Sequence, residues 1–202
     1  MPYSDFTLKK VKADFNLKTI EDISLFSEIQ GVEISDYLNT TLARNVPLAI
    51  AMNTEKARSE LIIMNILLEV RDKLPQKISL FSGIDFTVDK DRGLNGFCDY
   101  LISHSPEQFY VEVPVVAIVE AKNDNMISGL GQCIAEMVAA AIYNEQEQRH
   151  VPSIYGGVTT GDEWKFLKLV QDTVYIDKQS YYLSDIPKII GILMNMLEPM
   201  PG

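Results

Sequence analysis

The chain has 202 residues, of which 47% are hydrophobic and 23% are charged, as in a globular protein with a core of its own. These values exclude a disordered chain, a collagen-like repeat and a disulfide-stapled miniprotein. The net charge of −10 disfavours tight, non-specific binding of nucleic acid over the whole surface, although a local basic groove stays compatible with it. No apolar run reaches the roughly 18 residues of a membrane span, so we expect no membrane partner.

Two cysteines, Cys98 and Cys133, lie in apolar stretches and are interpreted as reduced core thiols, which is typical of cytosolic proteins. With only His104 and His150 beside them, a zinc site of four Cys or His ligands is not expected. The opening residues contain lysines but lack the apolar stretch of a secretory signal. We therefore expect a cytoplasmic protein.

Hydrophobic periodicity predicts most elements from residue 53 onward. Asn53 or Thr54 is expected to cap a buried helix that ends near 74–75, and a second helix is predicted over 126–143. Residues 1–52 show no clear pattern beyond a helix favoured over 34–44. Strands are predicted at 77–81, 84–88, 96–103, 115–121, 154–159, 164–170, 174–176 and 181–183, followed by a last helix capped by Ser184 or Asp185.

This order of elements predicts an α/β fold with a central mixed β-sheet flanked by helices. The strand–helix–strand unit at 115–159 should be a right-handed crossover with parallel strands, whereas the preceding strands should be antiparallel. We expect a single domain over 1–202. It would consist of an N-terminal extension of unclear role (1–52), a core (53–170) and a C-terminal strand and helix (171–202).

The apolar run that begins at Val115 ends in two charged side chains. Glu120 and Lys122 are two residues apart on a strand and therefore share one face of the sheet. A charge pair at the end of a buried strand carries a desolvation cost unless it is partnered or solvated. The simpler interpretation is a surface salt bridge where the strand emerges into solvent.

Two further carboxylates stand out by their surroundings. Asp99 lies in a strand between the apolar residues Phe97 and Leu101, where an unpaired carboxylate is expensive to bury. Glu60 lies on the buried helix that begins near residue 54. The structural alternatives are an aspartate hydrogen-bonded to a turn and a partly exposed glutamate in the first helical turns.

Taken together, these side chains offer hard oxygen ligands, which suit Mg²⁺ or Mn²⁺. The ligand set would be Asp99, Glu120 and Glu60, with the main-chain carbonyl of Ala121 as a further oxygen. Such an ion activates water and neutralises charge on a phosphate. The Lys122 ammonium could position that water or stabilise the transition state. The sequence therefore predicts the parts needed for phosphodiester hydrolysis.

The spacing of Asp99, about twenty residues, and then Glu120-Ala121-Lys122 on an apolar strand resembles the PD-(D/E)XK nuclease superfamily. Glu60 is similar to the helical glutamate that often precedes the core strands of that family. The stretch 157–166 is similar to the strand–turn–strand in the nuclease domains of type I restriction motor subunits. The resemblance implies a restriction-endonuclease-like three-layer core and a magnesium-dependent endonuclease, acting on DNA or RNA.

The resemblance also extends to the helix that follows the acidic strand. Gln132 matches a glutamine found there in many members, which adds it to the predicted catalytic set of Asp99, Glu120, Lys122 and Glu60. Two positions depart from the family pattern. They are Cys98, where proline is common before the aspartate, and Glu136, where restriction-type relatives often carry tyrosine.

Cleavage of both DNA strands needs two sites, so a homodimer is a reasonable expectation. Two alternatives stay open beside the nuclease. One is a catalytically inactive nuclease-fold module with a binding or regulatory role, which the net charge of −10 favours. The other is an α/β protein in which the carboxylates are structural.

Overall fold

The computed structural model describes residues 2–198, and a single mixed sheet organises them. The strands are β1 (Lys18–Ile20), β2 (Ser79–Asp85), β3 (Phe97–Ser103), β4 (Val115–Ala121), β5 (Ile154–Thr159), β6 (Glu163–Val170), β7 (Thr173–Ile176) and β8 (Tyr181–Tyr182). The helices are α1 (Leu8–Asp14), α2 (Asp36–Met52), α3 (Glu55–Arg58), α4 (Met64–Lys73), α5 (Met126–Gln146) and α6 (Ile186–Met196).

The sheet has the order β1-β7-β6-β5-β4-β3-β2, with β8 paired to β6. The pairs β4–β5 and β1–β7 are parallel, and the others are antiparallel. The predicted α/β class with a mixed sheet is confirmed. The predicted parallel crossover from β4 through α5 to β5 is confirmed as well.

Two hydrophobic clusters cover the two faces of the sheet. One includes Leu38 of α2, Ile66 of α4 and Ile190 of α6. The other includes Val11 of α1 and Ile134 of α5. Every residue of β4 is buried, which explains its nearly continuous apolar sequence.

The first 52 residues differ from the predicted extension because they are part of the core. Tyr3, Phe6 and Val11 are buried to within 2% of full burial. β1 adds an edge strand to the sheet beside β7. A Cβ on Gly131 of α5 would lie 2.3 Å from the carbonyl oxygen of Phe6. The N-terminal segment therefore packs directly against the backbone of α5.

The prediction of two separate strands at 77–81 and 84–88 is wrong, because this region forms the single strand β2. Gly83 adopts a φ of +62° inside it. The register with β3 nevertheless continues from Ser82 to Ile84. The glycine thus accommodates a local irregularity rather than ending the strand.

The helix predicted from residue 53 consists of α3, a π-helical turn (Ser59–Ile63) and α4 in direct succession. Asn53 ends α2 in the left-handed conformation with a φ of 50°. Thr54 then caps α3 by accepting a hydrogen bond from the Ala57 amide. The π-helical turn shifts the register of the side chains, as such turns often do near functional sites.

Among residues 2–198, α5 is the one helix with the length and apolar composition of a membrane span. In this fold it is a core helix, with 56% of its most apolar window buried. It lies between the sheet and α1.

Candidate active site

Strands β3 and β4 separate at the end that carries the predicted acidic residues. Their main-chain pairing reaches Tyr100 opposite Val119 and is not continued beyond that pair. Beyond it, β3 stays paired with β2, and β4 stays paired with β5 as far as Ala121. The sheet therefore opens between Asp99 and Glu120, and we call this opening the β3–β4 split.

The Asp99 side chain closes the end of the pairing on the β3 side. Its Oδ2 accepts a hydrogen bond of 2.8 Å from the main-chain amide of Ala121. The carboxylate thus takes the role that a strand carbonyl has in the regular ladder. Since the N–H and C=O of one strand residue point to the same side, the Ala121 carbonyl also faces the split.

Glu120 is fully buried at the end of β4. Its Oε1 accepts a hydrogen bond from the Lys122 ammonium, whereas its Oε2 has no hydrogen-bond partner among the described residues. Burial raises the pKa of Glu120 to about 8, and the negative charge of Asp99 contributes to the same rise. The two carboxyl groups therefore interact electrostatically across the split.

Lys122 lies beside Glu120 with 18% of its side chain exposed. Its ammonium donates to Glu120 and, at 3.2 Å, to Oε1 of Gln132 on α5. Burial opposes the charged form, but the neighbouring carboxylate of Glu120 outweighs it, and the pKa of Lys122 is raised. The lysine is therefore an ammonium at neutral pH.

A second buried glutamate continues this polar chain. The Gln132 amide donates from Nε2 to Oε1 of Glu136 at 3.1 Å. Glu136 is fully buried, and its Oε2 has no hydrogen-bond partner among residues 2–198. Burial, followed by the charge of Glu120, raises the pKa of Glu136 well above its usual value. The sequence signal was a glutamate four residues after Gln132 on an otherwise apolar helix face.

Glu60 lies at the rim rather than in the cluster. Its side chain is 64% exposed and pairs with Lys56 at 3.7 Å. It lines an open pocket of about 300 Å³ together with Asp99 and Ala121. Glu55 lines the same pocket, and its charge contributes to the raised pKa values of the Glu120 carboxyl and its lysine neighbour.

Glu55 was not predicted from the sequence as a site residue. The available signal was its position as the first residue of α3 after the Thr54 cap. That position places a carboxylate at a helix start, which is common for structural reasons alone. Only the tertiary packing of α3 beside the split distinguishes it.

Buried and partly buried hydrogen bonds attach the wall of the pocket to the sheet. The Tyr100 hydroxyl contacts the Ser59 hydroxyl at 2.6 Å and donates to the Ser59 carbonyl at 2.9 Å. Arg58 donates to the Thr160 carbonyl at 3.0 Å and to Asp162 at 2.6 Å. These contacts connect α3 and the π-helical turn to β3 and to the β5–β6 turn.

The residues fit a divalent cation in part. Between residues 2 and 198, no group of three or more His, Cys, Asp or Glu side chains is arranged to hold a metal ion. The Glu120 Oε2 is nevertheless a buried acceptor without a partner. Asp99 and the Ala121 carbonyl face the same split. Two carboxylates and a carbonyl are the hard oxygen ligands that Mg²⁺ and Mn²⁺ prefer.

Comparisons with protein-family models, with curated protein sequences and with solved structures gave no match to this chain. The resemblance to the PD-(D/E)XK superfamily therefore stays a prediction from the residues. Independently of it, the structure places the Lys122 ammonium beside the buried carboxyl of Glu120, whose pKa is raised to about 8.

Proposed function

We propose that the protein is a metal-dependent nuclease with a restriction-endonuclease-like core, hydrolysing phosphodiester bonds of DNA or RNA. Asp99, Glu120 and Lys122 would carry the reaction, with Gln132 and the rim residue Glu60 in support. The observation that carries this proposal is the β3–β4 split, where Asp99 lines an open pocket and the adjoining end of β4 carries the buried Glu120 with its partner Lys122.

The energetics of Glu120 favour a functional role over a structural salt bridge. A buried oxygen without a partner costs about 1–3 kcal/mol, and the Glu120 Oε2 is such an atom. Burial and, after it, the negative charge of Asp99 make the ionised form costly, as the pKa of about 8 for Glu120 reflects. Strongly shifted pKa values in a cleft are typical of functional sites, and a bound cation would relieve both costs.

Asp99, Glu120 and the Ala121 carbonyl would hold the Mg²⁺ or Mn²⁺ ion, which supplies Lewis acidity and lowers the pKa of a bound water. The protein's own contribution centres on Lys122. Its ammonium has three donors, of which Glu120 and Gln132 take two. The third can hold a water or a phosphate oxygen as negative charge develops there.

The net charge of −10 means that long-range attraction does not recruit nucleic acid. Substrate contacts would have to be local, at the pocket beside the split. For cleavage of both strands of a duplex, two such sites are needed, so the proposal for DNA includes a homodimer. We propose the cytoplasm as its location.

A cleavage assay tests the proposal directly. Supercoiled plasmid and end-labelled single-stranded DNA and RNA are incubated with the parent protein and millimolar Mn²⁺ or Mg²⁺. We expect metal-dependent cleavage, reduced by about 10²-fold or more in Asp99→Asn, Glu120→Gln and Lys122→Met.

The matched control is Lys18→Ala, which removes a surface ion pair of 2.9 Å to Asp172. Lys18 lies on the edge strand β1, which is separated from β4 by three other strands of the sheet. Its cleavage rate should equal that of the parent. Absence of cleavage by the parent with either metal, or cleavage at the parent rate by Glu120→Gln, would reject the proposal.

The second candidate is a nuclease-fold module that binds or regulates without catalysis. It is favoured by the net charge and by the lack of a three-ligand cluster among residues 2–198. Melting curves separate the candidates, because a ligand that binds only the folded state raises the thermal midpoint. A nuclease site predicts a rise with Mg²⁺ or Mn²⁺, whereas a module with structural carboxylates predicts none.

A further inference from the structure

A polar chain leads from Lys122 into the core of the protein, and its inner half is not explained by phosphodiester chemistry. It runs from Glu120 to Lys122, then to Gln132 and finally to Glu136. Gln132 and Glu136 are separated by one turn of α5. The last member is fully buried, at a place where an apolar side chain would cost less.

Donor and acceptor chemistry fixes the orientation of the Gln132 amide. An ammonium can only donate, so the oxygen of Gln132 must face Lys122. The amide nitrogen then faces the opposite way, toward Glu136. Position 136 therefore has to present an acceptor, or the amide nitrogen would lose its partner.

The aliphatic part of Lys122 is confined from another side of α5. A Cβ on Gly129 would lie 3.0 Å from Lys122 Cγ. Helix α5 thus packs its backbone at Gly129 against the aliphatic part of Lys122, and its Gln132 oxygen accepts from the ammonium. What remains adjustable is the amide, whose orientation depends on Glu136.

We propose that Glu136 is a positioning residue, which holds the Gln132 amide in the orientation that keeps the Lys122 ammonium beside Glu120. Its importance for turnover rests on the proposed nuclease function, but its effect on the lysine does not. The role assigned to Glu136 is hydrogen-bond acceptance by its Oε1 from the Gln132 amide. Its neutral, isosteric replacement by glutamine also offers an oxygen to the amide and should therefore preserve the orientation.

The test measures the reactivity of Lys122 in metal-free protein, so it does not depend on cleavage. Competitive acetylation with acetic anhydride is followed by mass spectrometry, with the exposed Lys56 as the internal reference. The variants are Glu136→Leu, Glu136→Gln and Gln132→Met. The control is Met137→Leu, a fully buried change on α5 outside the polar chain.

We expect Glu136→Leu and Gln132→Met to raise the labelling of Lys122 several-fold relative to Lys56. Glu136→Gln and Met137→Leu should stay within twofold of the parent. In the Gln132→Met background, adding Glu136→Leu should have no further effect, because the path to the lysine is already interrupted.

Unchanged labelling in Glu136→Leu would overturn the proposal, and so would an equal further increase in the Gln132→Met background. If Glu136→Leu does not fold, the comparison of Gln132→Met with Glu136→Gln decides. Equal labelling of Lys122 in those two variants would contradict the proposed role of the polar chain. In an active protein, Glu136→Leu should lower kcat with KM unchanged, and Glu136→Gln should restore kcat. Labelling as expected in a protein without cleavage would reject the nuclease but not the positioning role.

Discussion

Asp99 and Ala121 are joined across the β3–β4 split by a hydrogen bond of 2.8 Å from the main-chain amide to the carboxylate. The same side chain contributes to the raised pKa of Glu120. Asp99 therefore has two separable roles, one as a hydrogen-bond acceptor and one as a charge. Removing the charge alone should therefore be tolerated, whereas removing the acceptor as well should cost stability.

Asp99→Asn removes the charge and keeps an oxygen that can accept from the Ala121 amide. We expect the metal-free variant to be as stable as the parent or more stable at about pH 8, because repulsion with Glu120 is relieved. Asp99→Ala removes the acceptor as well and should lose about 1–3 kcal/mol relative to Asp99→Asn. Urea unfolding of both variants measures the difference. Equal stabilities would show that the hydrogen bond contributes nothing.

The stability of the metal-free protein should fall as the pH rises from about 6.5 to 8.5. The folded-state pKa values of Glu120 and Glu136 are raised, so the folded protein holds protons that the unfolded chain has released. Their contribution is complete below the unfolded pKa near 4.3 and is lost as the pH rises through the folded values. Each retained proton gives a slope of up to about 1.4 kcal/mol per pH unit.

The comparison starts at about pH 6.5 because burial lowers the pKa of His104. A histidine with a lowered pKa makes the stability rise with pH, and it does so mainly below about 6.5, the pKa of an unfolded histidine. Chemical unfolding at the two pH values measures the effect. Glu120→Gln should flatten the dependence, whereas the surface change Glu28→Gln should leave it as in the parent. Stability that is constant or rises over this range would contradict the burial of protonated glutamates.

Lys122→Met should destabilise the protein more at about pH 8.5 than at about pH 6. At the higher pH the variant has lost the counter-charge that favours ionised Glu120, so the carboxyl keeps its proton. The extra loss is limited to about 1 kcal/mol, because the pKa of Glu120 in the parent is about 8. At the lower pH Glu120 holds a proton, so less is lost. Thermal melts at both pH values measure this, with the exposed pair variant Lys18→Ala as the control that should change little. Equal losses at both values would mean that the pair is not electrostatically coupled.

Gly129→Ala should disturb both the core and the lysine. The new methyl would lie 2.6 Å from Val158 Cγ1 and 3.0 Å from Lys122 Cγ. Overpacking of this kind costs about 1–3 kcal/mol. Gly157→Ala is a matched control on β5, since the nearest atom would be 3.5 Å away. Denaturation midpoints of the two variants should differ clearly, and a harmless Gly129→Ala would show that α5 can shift away from β4.

The sequence was sufficient for the elements whose periodicity is strong. The apolar run of β4 and the cap at Thr54 both appear as expected. The split itself could not be predicted, since it depends on where β3 leaves β4 while each keeps its other neighbour. Residue spacing indicated that Glu120 and Lys122 share a face, but not that the lysine is only 18% exposed.

For the N-terminal region, the sequence was not sufficient to predict the structure. Residues 1–52 have a weak pattern because their contacts are distant in sequence, as in the pairing of Lys18 with Thr173. Such pairings leave no local periodicity to detect. Likewise, Glu136 is an ordinary helix former in sequence, and only the structure shows that it is buried on α5 and accepts a hydrogen bond from Gln132.

Binding of Mn²⁺, followed by electron paramagnetic resonance of the free ion, tests the central claim most directly. The account predicts saturable binding at one or more sites per chain in the parent at about pH 8. Binding should be lost in both Asp99→Asn and Glu120→Gln and retained in Lys18→Ala. No binding by the parent, or binding that survives both carboxylate substitutions, would contradict a metal site at the β3–β4 split.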